Sequence, residues 1–173
     1  MTKRADKKAN QSSKAVPVLG AVFTVLVIVT VLALHLPNGK TAEFIPPPFE
    51  KNAVSGVPEV PEELGYSAPY KEGMTYRFSV CGNVTLEGSE AVVYLTNPPG
   101  NDVWLKLRVL DESGKASGET GLIKPGEYVR CVTLSSVPPV GTKIALKIMG
   151  YEPETYRSAG SATLNTAIGD PLP

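Results

Sequence analysis

Residues 103–110 read Val-Trp-Leu-Lys-Leu-Arg-Val-Leu, and their alternation decides the fold. Successive side chains on a strand point to opposite faces. Val103, Leu105, Leu107 and Val109 therefore share one apolar face, and Trp104, Lys106, Arg108 and Leu110 share the other. Asn97-Pro98-Pro99-Gly100-Asn101 before this run must be a loop, because proline cannot donate to a ladder. Asp111-Glu112-Ser113-Gly114-Lys115 after it reads as a hairpin turn.

The same texture extends in both directions. Upstream, strands are expected at 74–80 (MTYRFSV, with Tyr76, Phe78 and Val80 on one side), 83–86 and 90–96 (EAVVYLT). Downstream they are expected at 119–123, 128–134 (YVRCVTL), 142–149 (TKIALKIM) and 161–168 (SATLNTAI), the last as an edge strand. No helical period appears after Leu36. About eight short strands in some 100 residues suit an immunoglobulin-like or fibronectin-like β-sandwich. Its expected core is Phe78, Val80, Val93, Leu95, Leu105, Leu107, Val109, Ile123, Val132, Leu134, Ile144, Leu146 and Ile148.

The N-terminal third is of another kind. Ala15–Leu36 is free of charged side chains (AVPVLGAVFTVLVIVTVLALHL). At about 1.5 Å per residue it spans roughly 33 Å, enough for a bilayer core of about 30 Å. Lys3, Arg4, Lys7, Lys8 and Lys14 precede it against Asp6 alone, a net +4, and the remaining 12 basic and 16 acidic residues give net −4. Positive charge on the cytoplasmic flank predicts an uncleaved signal-anchor: a basic cytoplasmic tail (1–14), one transmembrane helix (15–36) and everything later outside the cell. Leu34-His35-Leu36 is a poor cleavage site, and the apolar run is longer than that of a cleaved signal peptide. His35 is read as snorkelling at the interface.

Residues 37–69 hold seven prolines interspersed with glutamates and few large apolar residues. They are read as a semi-rigid extracytoplasmic stalk. The β domain is placed at 70–168, followed by a short tail, 169–173.

Composition and motif bound the chemistry. A mildly acidic body lacks the clustered basic face that nucleic-acid binding needs. The single histidine lies at the membrane boundary, so no Ser-His-Asp or Cys-His triad is expected outside. Zinc-ligand spacing, a P-loop and a dinucleotide fingerprint are absent. The expectation is a non-enzymatic chain with no cofactor and no metal. Tyr151-Glu152-Pro153-Glu154-Thr155-Tyr156 is the sharpest acidic cluster; it reads as an exposed loop or as a sugar-binding or calcium-binding group, though it lacks the six to eight oxygens calcium wants. Trp104, Lys106 and Arg108, projecting together from one strand, form a candidate partner-binding patch, since Trp and Arg are favoured at hot spots. Cys81 and Cys131 are the only cysteines. They are read as two semi-buried free thiols, and a disulfide between them, permitted outside the cell, is the alternative.

The stretches NDVWLKLRVLD, GETGLIKPGEYV and YEPETY give the chain a resemblance, over roughly residues 45–168, to a group of uncharacterised membrane-anchored proteins of Gram-positive gut bacteria. The resemblance implies topology and no site. The expectation is a single-pass cell-membrane protein. Its partners are the bilayer, through residues 15–36, and an extracytoplasmic protein bound as an envelope interaction or structural module. A carbohydrate-binding or wall-binding module is the alternative.

Overall fold

Residues 44–67 and 76–171 are described in a computed structural model of the protein. The expected basic tail and transmembrane helix lie outside the described residues. Among the described residues no helix is long and apolar enough to cross a membrane. Chain contacts separate Met1–Phe44 from Ile45–Pro173, and the domain below is the second of these.

Eight strands follow in order: β1 (Val54–Ser55), β2 (Thr85–Glu87), β3 (Glu90–Asn97), β4 (Trp104–Leu110), β5 (Ala116–Glu119), β6 (Glu127–Thr133), β7 (Lys143–Tyr151) and β8 (Ser158–Ala167). They form two four-stranded antiparallel sheets, β1-β6-β3-β2 and β5-β4-β7-β8. The domain is all-β, consistent with a sandwich; its helical content among the described residues is one 3-10 turn, Glu62–Leu64. The alternation seen at 103–110 sets the packing. Leu105, Leu107 and Val109 are fully buried and pair through the register with Gly150, Ile148 and Leu146 of β7. All thirteen expected core residues lie in the one main apolar cluster.

Element boundaries moved where long-range pairing overrode local pattern. The strand expected at 119–123 is β5 at Ala116–Glu119, followed by an isolated bridge from Ile123 to Leu105. The last strand starts earlier, at Ser158, and runs for 10 residues. Of the run expected at 74–80, Tyr76, Phe78 and Val80 are buried as expected, and Ser79 pairs with Thr96.

The stalk expectation is corrected for residues 45–67, which form a strap along the sandwich. Leu122 N–H donates to Pro48 O (2.9 Å), and Glu50 N–H donates to Leu122 O (2.9 Å). A Glu50 carboxylate oxygen accepts from Gly121 N–H at 2.7 Å. Gly121 suits this approach, because a Cβ there would sit 2.5 Å from Glu50 N. The strap then crosses to the other sheet as β1, beside β6. It ends with Leu64, 1 % exposed, on a small outer cluster with Cys81, Val92 and Tyr94. Proline removes donors, but its carbonyls still accept, so a proline-rich segment can dock through acceptors and a few apolar anchors. Leu64→Ala is expected to lower stability by roughly 2–4 kcal/mol in urea denaturation, where a solvated spacer would register no change.

The two sheets are tied at one end by Asn97, fully buried at the end of β3. Its Nδ2 donates to Val103 O and to Ile123 O, both at 2.9 Å. Its Oδ1 accepts from Asn101 Nδ2 at 2.6 Å. Asn97→Ala removes the donor to Val103 O, while Ile123 O keeps the Leu105 N–H (3.0 Å), so a loss of about 1–3 kcal/mol is expected in the same measurement.

Candidate functional site

The outer face of the β5-β4-β7-β8 sheet carries the sequence candidates. On β4, Trp104, Lys106 and Arg108 sit opposite the buried Leu105, Leu107 and Val109, as the alternation required. The register places Tyr151, Met149 and Lys147 of β7 beside them in turn. Directly opposed residues share a face, so one surface gathers aromatic residues at one end and cations along its middle.

Trp104 is half-buried between two rings. Phe49 of the strap meets it edge-on (centroids 4.8 Å apart, 77° between planes). Tyr156 lies on it at 5.3 Å and 59°. Lys124 Nζ stands 4.7 Å over the Phe49 ring, within cation–π range. Tyr156 reaches this position through the tight loop after β7. There Glu154 and Tyr156 adopt positive φ (62° and 55°), and Tyr156 N–H donates to Glu152 O at 3.0 Å. Of the acidic cluster, the structure thus brings Tyr156 to Trp104 and leaves Glu152 and Glu154 exposed on the loop. Glu152 accepts from Thr155 Oγ1 at 3.0 Å. No group of three or more potential metal ligands occurs among the described residues.

Lys106 is corrected. It points to the expected face but is only 5 % exposed, with Nζ 2.8 Å from Glu119 Oε1. Arg108 Nε contacts the other oxygen of the same carboxylate at 2.8 Å. The cause is the β4–β5 ladder, which sets Glu119 directly across from Arg108. Lys106 therefore anchors the sheet, and Arg108, half-exposed, is the cation of this pair open to a partner. The sequence offers Pro46-Pro47-Pro48-Phe49 as a docking motif or as spacer, and neither reading places Phe49 against Trp104.

Both cysteines are free thiols. Cys81 N–H donates to Val93 O at 2.9 Å on one side of β3, while Cys131 pairs with Val92 on its other side. The two are thus separated by two strand spacings, roughly 9–10 Å, beyond the roughly 7 Å Cα limit for a disulfide. Burial pushes the Cys81 thiol up to about 12. Burial also raises Cys131, with the adjacent Arg130 charge opposing it.

No protein-family model and no curated protein matches the chain, so the site is read from its own geometry.

Burial pushes the Glu119 carboxyl up, but hydrogen bonds and charge from Lys106 and Arg108 outweigh it, and the net direction is below the usual carboxylate range. A depressed folded value stabilises the fold above the unfolded value and loses that contribution as pH falls through the folded one. Glu119→Gln leaves the Lys106 ammonium buried without a counter-charge. Its expected cost is about 1–3 kcal/mol at pH 7, shrinking as the pH is lowered past the carboxylate range in urea melts.

Proposed function

We propose that this chain is a membrane-tethered, non-catalytic protein-interaction module of the cell envelope, with its β domain outside the cell. Tethering rests on the apolar run at 15–36 and its basic flank. The fold supports an immunoglobulin superfamily-type scaffold in its fibronectin-like form. Counting from β2 as the first strand, the first, second and fifth share one sheet, and the third, fourth, sixth and seventh share the other. The fourth strand pairs with the third, where the constant-type immunoglobulin arrangement places it beside the fifth. β1, from the strap, takes the vacated place beside β6.

The observation that carries the function is the half-buried Trp104, packed between Phe49 and Tyr156, with Lys124 over the Phe49 ring and Arg108 further along the same face of β4. A rigid, partly desolvated aromatic with cations around it is the composition of a protein–protein hot spot. Carbohydrate binding, the second reading, would need coplanar exposed rings, and interplanar angles of 77° and 59° weigh against it.

In intact cells carrying the full chain with a C-terminal epitope tag, external protease is expected to remove the tag. A protected tag would place the domain inside and overturn the proposal. In the same cells, a photoreactive residue at Arg157 is expected to capture an envelope protein. Trp104→Ala should weaken that capture about 30-fold, the size of a hot spot of about 2 kcal/mol. Adducts with glycan strands alone would favour the second reading.

A further inference from the structure

β8 is an edge strand of a kind that folded proteins usually disguise. It is Ser-Ala-Gly-Ser-Ala-Thr-Leu-Asn-Thr-Ala, 10 residues with no charge and no proline. Edges are commonly blunted by lysine, proline, bulges or covering loops, because an open edge presents unpaired N–H and C=O groups. From Ser161 to Asn165, β8 pairs with β7 and with no other strand among the described residues; beyond that, Thr166 Oγ1 donates to Gly82 O (2.7 Å) and Ile168 bridges Val84.

Both faces beside this edge are prepared for particular side chains. On the outer face, Thr163 lies opposite Lys147, and Ala167 opposite Lys143. Neither lysine forms an ion pair among the described residues. The β8 residues between them and the edge are small. A strand added beyond β8 would lie two strand spacings from β7, roughly 9–10 Å, a gap that lysine side chains can bridge. On the inner face, Leu164 is 38 % exposed. Beside it an open cavity of about 270 Å³ is walled by Leu146, Val80 and Cys81.

We propose that β8 accepts an extended segment of a partner protein, alternating apolar and acidic residues, as a ninth strand. This rests on the protein-binding reading above but uses a surface separate from Trp104. Backbone ladder bonds supply the affinity of such an addition, and side-chain alternation supplies its specificity. The segment's carboxylates meet Lys143 and Lys147, and its apolar side chains enter the cavity beside Leu164. A second copy of the chain is the less suited occupant, because β8 brings no carboxylate to those lysines.

The test uses the purified full chain in detergent and a short acetylated peptide alternating valine and glutamate, with a valine–lysine peptide for comparison. Hydrogen exchange should show slowed amides confined to β8 with the acidic peptide, which should bind about tenfold tighter than the basic one. The doubly substituted Lys143→Glu, Lys147→Glu chain should reverse that preference while keeping its far-UV spectrum. Three results overturn the proposal: no β8 protection by either peptide at millimolar concentration, a preference indifferent to the charge reversal, or a dimer through β8 that Leu164→Lys dissolves. None of these depends on Trp104 or on cellular placement, so this proposal and the previous one can fail separately.

Discussion

The buried side chain of Asn97 holds together three pieces of backbone that belong to different sheets. Without a donor there, the carbonyl of Val103 would lose its Asn97 partner in an apolar interior, where an unmade hydrogen bond is expensive, and that of Ile123 would keep only Leu105 N–H. With it, the end of β3 is pinned to the start of β4 and to the segment that follows β5. The register of β4 then follows. Register decides which residues of a strand meet the core, since a one-residue slip exchanges the two faces. The placement of Trp104, Lys106 and Arg108 on the outer face is a consequence of this polar tie as much as of the apolar residues between them.

The strands and the core were legible because they are short-period features. Alternation placed all thirteen expected residues in the core but left out Val84, Ala91, Val129 and Ile168 of the same cluster, and the proline and glycine clusters marked the loops. What the alternation could not supply was partnership across the chain. Lys106 was correctly oriented from its parity on β4, but its burial depends on Glu119, 13 residues away and presented by a neighbouring strand. The strap was illegible for a related reason. Its attachments are scattered backbone bonds, the two-residue β1 ladder, one carboxylate and single anchors such as Leu64, none of which generates a period. Trp104 was singled out from its parity on β4 and its residue type. The ring that lies edge-on to it, Phe49, comes from the strap, so the aromatic cluster could not be assembled before the strap's path was known.

Charge on the outer face follows the same division of labour. Glu119 is shared by Lys106 and Arg108, so the deeper cation is satisfied internally and the shallower one remains accessible. Lys143 and Lys147 sit on the neighbouring strand, with small β8 residues between them and the edge. The sheet thus grades from a locked aromatic and ion-pair region at β4 to an open, hydroxyl-rich border at β8.

The path of the strap has a mechanical consequence. Phe49 pairs with Leu122 in parallel, and the two backbone bonds that flank this bridge lie side by side along the strap. A pull on the chain ahead of Ile45, directed along the strap, loads both bonds at once in shear. It cannot open them one after another as it would a hairpin. Glu50 and the edge-on contact of Phe49 with Trp104 share the same load. Tension at that end is therefore resisted at the surface of the domain before any strand of the sandwich core is disturbed. The contact that half-buries Trp104 is then also part of the clamp that takes this load.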